Sequence, residues 1–175
     1  LENTRSLANS ITDVAQGLIN LRANVVSQAN IAAQEVNTSL RELADIQARM
    51  SAGTQDRFGG KNAVLDQRDK LINRISDNLG INVEYDAFKR AFVRLGDHKG
   101  GPSLLDSDTA AQISVKADNV MQLVIEKDGA TKTTSMLTGG ALTGYARALS
   151  AVDDAISQLD AFARRIAGDV NSVHA

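Results

Sequence analysis

The chain has 175 residues, 43% hydrophobic but only 3% aromatic, with no Trp, no Cys and a formal charge of −2 from 19 basic and 21 acidic side chains. The charges are mixed along the chain without a basic stripe, which removes the basis for phosphate-driven nucleic-acid binding, and few aromatic side chains are available to stack on bases. No apolar run approaches the roughly 20 residues that a membrane-spanning helix needs. The lack of cysteine excludes disulfide and thiol chemistry, and fits either the cytosol or export by a route that bypasses oxidative folding. The length suits one domain, or one domain with a small inserted subdomain. The chain starts at Leu1 without Met, and a helical pattern is still running at Ala175. Both ends therefore read as cuts in a longer protein.

From about Glu2 to Ala52 there is no proline and the only glycine is Gly17. Leu7, Ile11, Val14, Leu18, Leu21 and Val25 step by four and three, a heptad seam. Strict continuation would put Gln28, Ala32, Glu35 and Ser39 in the seam. It resumes one turn later as Val36, Leu40, Leu43, Gln47 and Met50, a four-residue stutter that unwinds a supercoil locally without ending the helix. At about 1.5 Å per residue, such a helix is a rod of roughly 75 Å, so the molecule is expected to be elongated.

Ser51 to Gly60 reads as a loop, marked by adjacent glycines and small polar residues. A second helix is expected from about Asn62 to Leu79, with Leu65, Ile72, Ile75 and Leu79 on one face, and Gly80 as its left-handed C-terminal cap. The period then becomes twofold. Ile81, Val83 and Tyr85 alternate with polar neighbours, as do Phe92 and either Val93 or Leu95. Gly96 to Pro102 is a turn, Gln112–Lys116 and Val120–Glu126 are strands, and Asp128–Gly129 is a hairpin turn leading into Thr131–Ser135. This predicts one small antiparallel sheet of four or five strands.

Gly139–Gly140 opens the last helix, whose seam runs unbroken through Leu142, Tyr145, Leu149, Val152, Ile156, Leu159, Ala163, Ile166, Val170 and Val173. The expected fold is mainly α with a small antiparallel β subdomain. Residues 1–80 and 137–175 form an elongated three-helix bundle or coiled-coil-like rod, and the β unit 81–136 is inserted before the last helix, at one end of the rod.

Chemistry-bearing patterns are sparse. Phe58-Gly59-Gly60-Lys61-Asn62 resembles a phosphate-binding loop only superficially. The required glycine and hydroxyl positions hold Gln55 and Asn62, and no strand precedes it. It reads as a helix–helix connection. His98 and His174 have no cysteine to join them in a zinc site and read as surface residues. Asp106-Ser107-Asp108 begins like a calcium loop, but Ala110 and Ala111 follow where oxygen ligands or the sharp-turn glycine belong. Asp153 and Asp154 lie about 100° apart on a helix and cannot converge as an acid/base pair; they read as a solvated face. No serine or threonine sits in a nucleophile elbow. No catalytic residue, cofactor or metal is expected.

Two blocks carry a family resemblance. One is Leu65-Asp66-Gln67-Arg68-Asp69-Lys70-Leu71, continuing through Ile75-Ser76 to Leu79-Gly80-Ile81-Asn82-Val83. The other is Gly139-Gly140-Ala141-Leu142-Thr143-Gly144, then Leu159-Asp160-Ala161-Phe162-Ala163 and Val170-Asn171-Ser172-Val173-His174. Together, in this order and with a β segment between them, they resemble the flagellar hook-associated protein 1 family over nearly the whole chain.

The resemblance implies a structural subunit, not an enzyme, that joins hook to filament. Its implied partners are copies of itself in a ring, the hook protein and the second junction protein. It also implies export through the flagellar type III apparatus and the loss here of the terminal segments that form the inner tube. This segment alone is then expected to be monomeric. Leu65, Asp66, Arg68, Asp69, Gly80, Gly139, Gly140, Gly144, Leu159, Asp160 and Asn171 are its motif positions, expected to serve packing and capping. Asp66 and Asp69 suit the positive end of a helix macrodipole. Arg68 falls on the apolar side by spacing, where a carboxylate of a neighbouring helix is its expected partner. The paired glycines let the chain turn sharply from sheet to helix. Flagellin, another flagellar axial protein, or a coiled-coil signalling module of chemoreceptor type are the competing readings. The Gly-rich turns and the 81–136 sheet speak against the last.

Overall fold

The computed structural model describes residues 2–51 and 60–174, with the side chains of 2–4, 60–61 and 171–174 left aside. The loop expected at 51–60 therefore lies, apart from its two ends, outside the described residues, as do Phe58 and Gly59 of the sequence resembling a phosphate-binding loop. Helix α1 spans Glu2–Ser51 without a break, α2 spans Gly60–Asn78 and α3 spans Gly140–His174. The stutter is thus carried inside one continuous helix. Ala29, Ala32, Ala33 and Val36 are the buried residues that bridge it: small side chains let neighbouring backbone come close where the seam changes phase.

Between α2 and α3 lie seven strands: β1 Ile81–Tyr85, β2 Ala91–Leu95, β3 Ser103–Asp106, β4 Thr109–Ala110, β5 Gln112–Ala117, β6 Met121–Lys127 and β7 Ala130–Thr134. They form two antiparallel sheets, ordered β1-β2-β3-β4 and β5-β6-β7, where a single sheet was expected. The additional strands, β3 and β4, pair Leu105 with Ala110 and Asp106 with Thr109 around a tight turn. That turn is the Asp106-Ser107-Asp108 segment, with Ser107 at φ 56°. The oxygen-rich triplet that looked like a calcium loop is hairpin chemistry, since Asp and Ser tolerate tight-turn geometry. In β2 the buried side chains are Ala91, Val93 and Leu95, which places Phe92 on the opposite face.

Both α2 and α3 pack against α1. Asn78 near the end of α2 faces Glu35, Arg22 meets Asp153 of α3, and Leu7 and Ile11 line a groove with Ala163, Ile166 and Val170. The two shorter helices therefore run antiparallel to α1 and follow one another along it, α2 on its C-terminal half and α3 on its N-terminal half. The sheets flank the C-terminal half. One continuous apolar cluster joins Leu40 and Leu43 of α1, Ile75 and Leu79 of α2, Val93 and Leu104 of the first sheet, Ile113 and Leu123 of the second, and Leu142 of α3.

Candidate functional site: the helix–sheet joint and the open helical arm

Four local arrangements set how the rod is held together. The first is built on Arg68, which is buried although charged. Its Nε and Nη2 donate to Asp69 Oδ1 at 2.8 and 2.6 Å, and Nη1 donates to the Lys89 carbonyl at 2.7 Å. Its guanidinium lies 4.5 Å from the centre of the Tyr85 ring. The partner is thus the next residue's carboxylate together with the β1–β2 turn, not a carboxylate of a neighbouring helix. A planar fork can serve a carboxylate, a carbonyl and an aromatic face together, which an ammonium cannot do as well. Leu65 beside it is half-buried against the core.

The turn that Arg68 grips is itself braced. Asp86 accepts from the Phe88 and Arg90 amides, both at 2.9 Å, and from Arg90 Nε at 2.7 Å. Burial works to raise the Asp86 pKa, yet these bonds and the charge of Arg90 leave it below the usual carboxylate value. Asp66 is exposed and Asp69 holds Arg68. Since α2 begins at Gly60, neither lies in the first turn, where the dipole acts. The dipole account of these two aspartates is therefore replaced: Asp69 is a side-chain partner, and Asp66 faces solvent.

The second arrangement is the glycine crossing. Gly80 is not a left-handed cap, since its φ is not positive. It is required by close approach: a Cβ there would sit 2.6 Å from Thr138 Oγ1 and 2.8 Å from the Gly139 nitrogen. The Gly80 amide donates to the Gly139 carbonyl at 3.0 Å, and the Gly80 carbonyl accepts from the Gly96 amide at 2.9 Å. Gly140 has φ 75°, and a Cβ would lie 2.3 Å from backbone atoms of Asn78 and Leu79. The entry into and exit from the β unit thus cross backbone on backbone. Gly144, by contrast, has open space where a Cβ would go, so nothing within the chain demands glycine there.

The third is a set of α1 side chains that serve the β unit's main chain. Asn37 Nδ2 donates to the Ile113 carbonyl and its Oδ1 accepts from the Ile113 amide, both at 2.7 Å. Gln47, fully buried in the seam, bridges the Ser107 carbonyl and the Ala91 amide. The Val93–Leu105 pairing extrapolates to Ala91 opposite Ser107, so the Gln47 carboxamide stands in for a missing rung between β2 and β3. Arg22 donates to the Ala117 and Asp118 carbonyls at 3.2 and 2.8 Å and to Asp153 at 2.7 Å. Asp153 is thereby half-buried in an ion pair, and of the Asp153–Asp154 pair only Asp154 belongs to the solvated face.

The fourth is the arm made by the N-terminal half of α1 and the C-terminal half of α3. Here the seam residues Leu7, Val14 and Leu21 are 38%, 53% and 47% exposed, and Ile156, Leu159, Ala163, Ile166 and Val170 are half-buried. Asp160 is exposed and lies 3.8 Å from Arg164; the side chain of Asn171 lies outside the described residues. Among the described residues no group of histidine and carboxylate side chains could hold a metal ion, and no helix is long and apolar enough to cross a membrane.

The family model for the helical domain of the flagellar hook-associated protein FlgK matches residues 1–175. The chain belongs to this family. It is similar in fold to the solved flagellar hook junction protein FlgK from Burkholderia pseudomallei, with a TM-score of 0.70 and 23% identity. The similarity covers 84% of this chain and 27% of that one, so the chain spans about a quarter of the length of that relative. No curated protein matched the chain. Of the residues singled out in the sequence, Gly80, Gly139 and Gly140 lie at the helix–sheet crossing and Arg68 at the hairpin joint, whereas Gly144 has open space around it and Asp160 is exposed.

Proposed function

We propose that this chain is the helical rod segment of a subunit that joins the flagellar hook to the filament. The observation that carries the reading is the family match over all 175 residues. The described residues add what a mechanical part requires: one apolar core shared by helices and sheets, and a braced joint at Arg68. On this reading the partners are copies of the same subunit in a ring, the hook protein on one side and the second junction protein on the other. The rod (1–80 and 137–175) supplies the axial packing surface and the β unit (81–136) stands beside it. The absence of cysteine supports passage, unfolded, through the type III export apparatus. No reaction is assigned to it.

Immunogold electron microscopy of the source cells, with antibodies raised against this segment, tests the proposal. Gold confined to a band where hook meets filament is the expected result. Label along the whole filament identifies a filament subunit instead, and label confined to the cell interior removes the axial role altogether.

A further inference from the structure

Three α1 side chains that bond to the β unit, Arg22, Asn37 and Gln47, lie at three heights. At 1.5 Å per residue, Arg22 and Asn37 are about 22 Å apart along the helix, and Asn37 and Gln47 about 15 Å. Between them they touch both sheets: Arg22 at the β5–β6 turn, Asn37 near the start of β5, and Gln47 at the start of β2 and the β3–β4 turn. Every one of these contacts goes to main-chain atoms.

We propose that Arg22, Asn37 and Gln47 form an axial latch, which stops α1 from sliding along the β unit and passes force directed along the rod into the sheets. The apolar contacts between α1 and the sheets oppose separation, but hydrophobic burial is non-directional and changes little when one smooth face slips along another. Hydrogen bonds weaken steeply with displacement and angle. A slip of one strand residue, about 3.3 Å, breaks all three contacts together. It leaves the Ile113 amide and carbonyl, the Ala91 amide and the Ser107 carbonyl without partners in a place water reaches poorly. The carboxamides suit this role because each presents one donor and one acceptor, as a peptide group does. Ile113 shows the match directly. Its amide and carbonyl both point away from β6, the outward-facing position of an antiparallel ladder, and Asn37 closes that edge as a strand would. The latch stands on these contacts alone and does not depend on where in the cell the protein acts.

The test is native-state hydrogen exchange on the whole chain carrying Asn37→Leu and Gln47→Leu, which keep side-chain bulk and remove the bonds. The reporters in the β unit are the amides of Ser114 and Val124. These are register partners bonded to one another by ladder alternation and untouched by the substitutions. The reporters in the helices are the amides of Leu40 and Ile75. The latch predicts that exchange in the β unit accelerates by roughly ten-fold or more over any change in the helices, as the sheets gain freedom of their own. Equal acceleration in both sets overturns it, because the carboxamides would then contribute only to general stability. If the double variant does not fold, Asn37→Leu alone is read in the same way, since Asn37 is only half-buried. Thr38→Leu, one residue on and exposed, is expected to move neither set; an effect equal to that of Asn37→Leu overturns the latch.

Discussion

The two halves of α1 carry the same kind of seam and meet different fates. In the C-terminal half, Val36, Leu40 and Leu43 are fully buried; in the N-terminal half, Leu7, Val14 and Leu21 are 38–53% exposed and Ile11, Leu18 and Val25 between them are only half-buried. The residue types are alike and the spacing is alike. What differs is the number of elements around the seam. The C-terminal half has α2 and two sheets against it, whereas the N-terminal half has α3 and, at Arg22, the β5–β6 turn. A heptad stripe reports which side of a helix seeks cover, and the supply of neighbours decides how much cover it gets.

Replacing core leucines sharpens this contrast most. Leu40→Ala is expected to cost about 3–5 kcal/mol, the range for a buried leucine whose surroundings relax only partly. Leu21→Ala, half in solvent, is expected to cost under about 1 kcal/mol. Chemical denaturation of both variants checks the ratio; equal costs would show the arm to be as tightly packed as the body.

The glycines give a second contrast. Gly140→Ala is expected to destabilise by at least about 2 kcal/mol, because it combines a left-handed φ with contact against the backbone of Asn78 and Leu79. Gly144→Ala is expected to be neutral or to stabilise by up to about 1 kcal/mol, the helix-propensity gain in open space. Thermal unfolding reads both. A costly Gly144→Ala would mean that the start of α3 is more crowded than the structure shows.

The smallest effect concerns acid. Asp106 on β3 accepts from Lys127 of β6 at 2.5 Å, tying one sheet to the other. Burial works to raise its pKa, but the bonds to Lys127 and Ser103 and the nearby positive charges leave it lowered. A carboxylate with a depressed native pKa adds stability above its unfolded value, near 4, and that contribution disappears as pH falls toward the native value. Asp106→Asn is therefore expected to flatten the loss of stability below about pH 4 and to leave its slope near pH 7 unchanged. Denaturation midpoints across that range decide it; an unchanged acid slope would remove Asp106 from the pH response.

Much of this architecture is legible in the residues. The three helices follow from heptad spacing, and α3 keeps every described position of its expected seam at least half-buried. Five of the seven strands follow from twofold alternation and turn residues. The short β3 and β4 escape because Leu104 and Leu105 are adjacent and both buried, which erases alternation, and because β4 has only two residues. The positions singled out by the family resemblance can be read off the sequence, but what each side chain touches cannot. Gly80 reads as a helix cap and is a crossing point, and Arg68 reads as an interhelical bridge and is a grip on a hairpin.

By itself, the sequence determined the local periods, the turn positions, the order of elements and, through its two motif blocks, the family. These depend on interactions within a few residues, or on patterns that can be matched one position at a time. Only the tertiary structure decided that α2 and α3 lie in succession along α1, that the strands divide into two sheets, and that Asn37, Gln47 and Arg22 serve the sheets' main chain. Those contacts join residues 44 to 96 positions apart. Their backbone partners are chemically the same at every residue, so no local pattern marks which ones a distant side chain will meet.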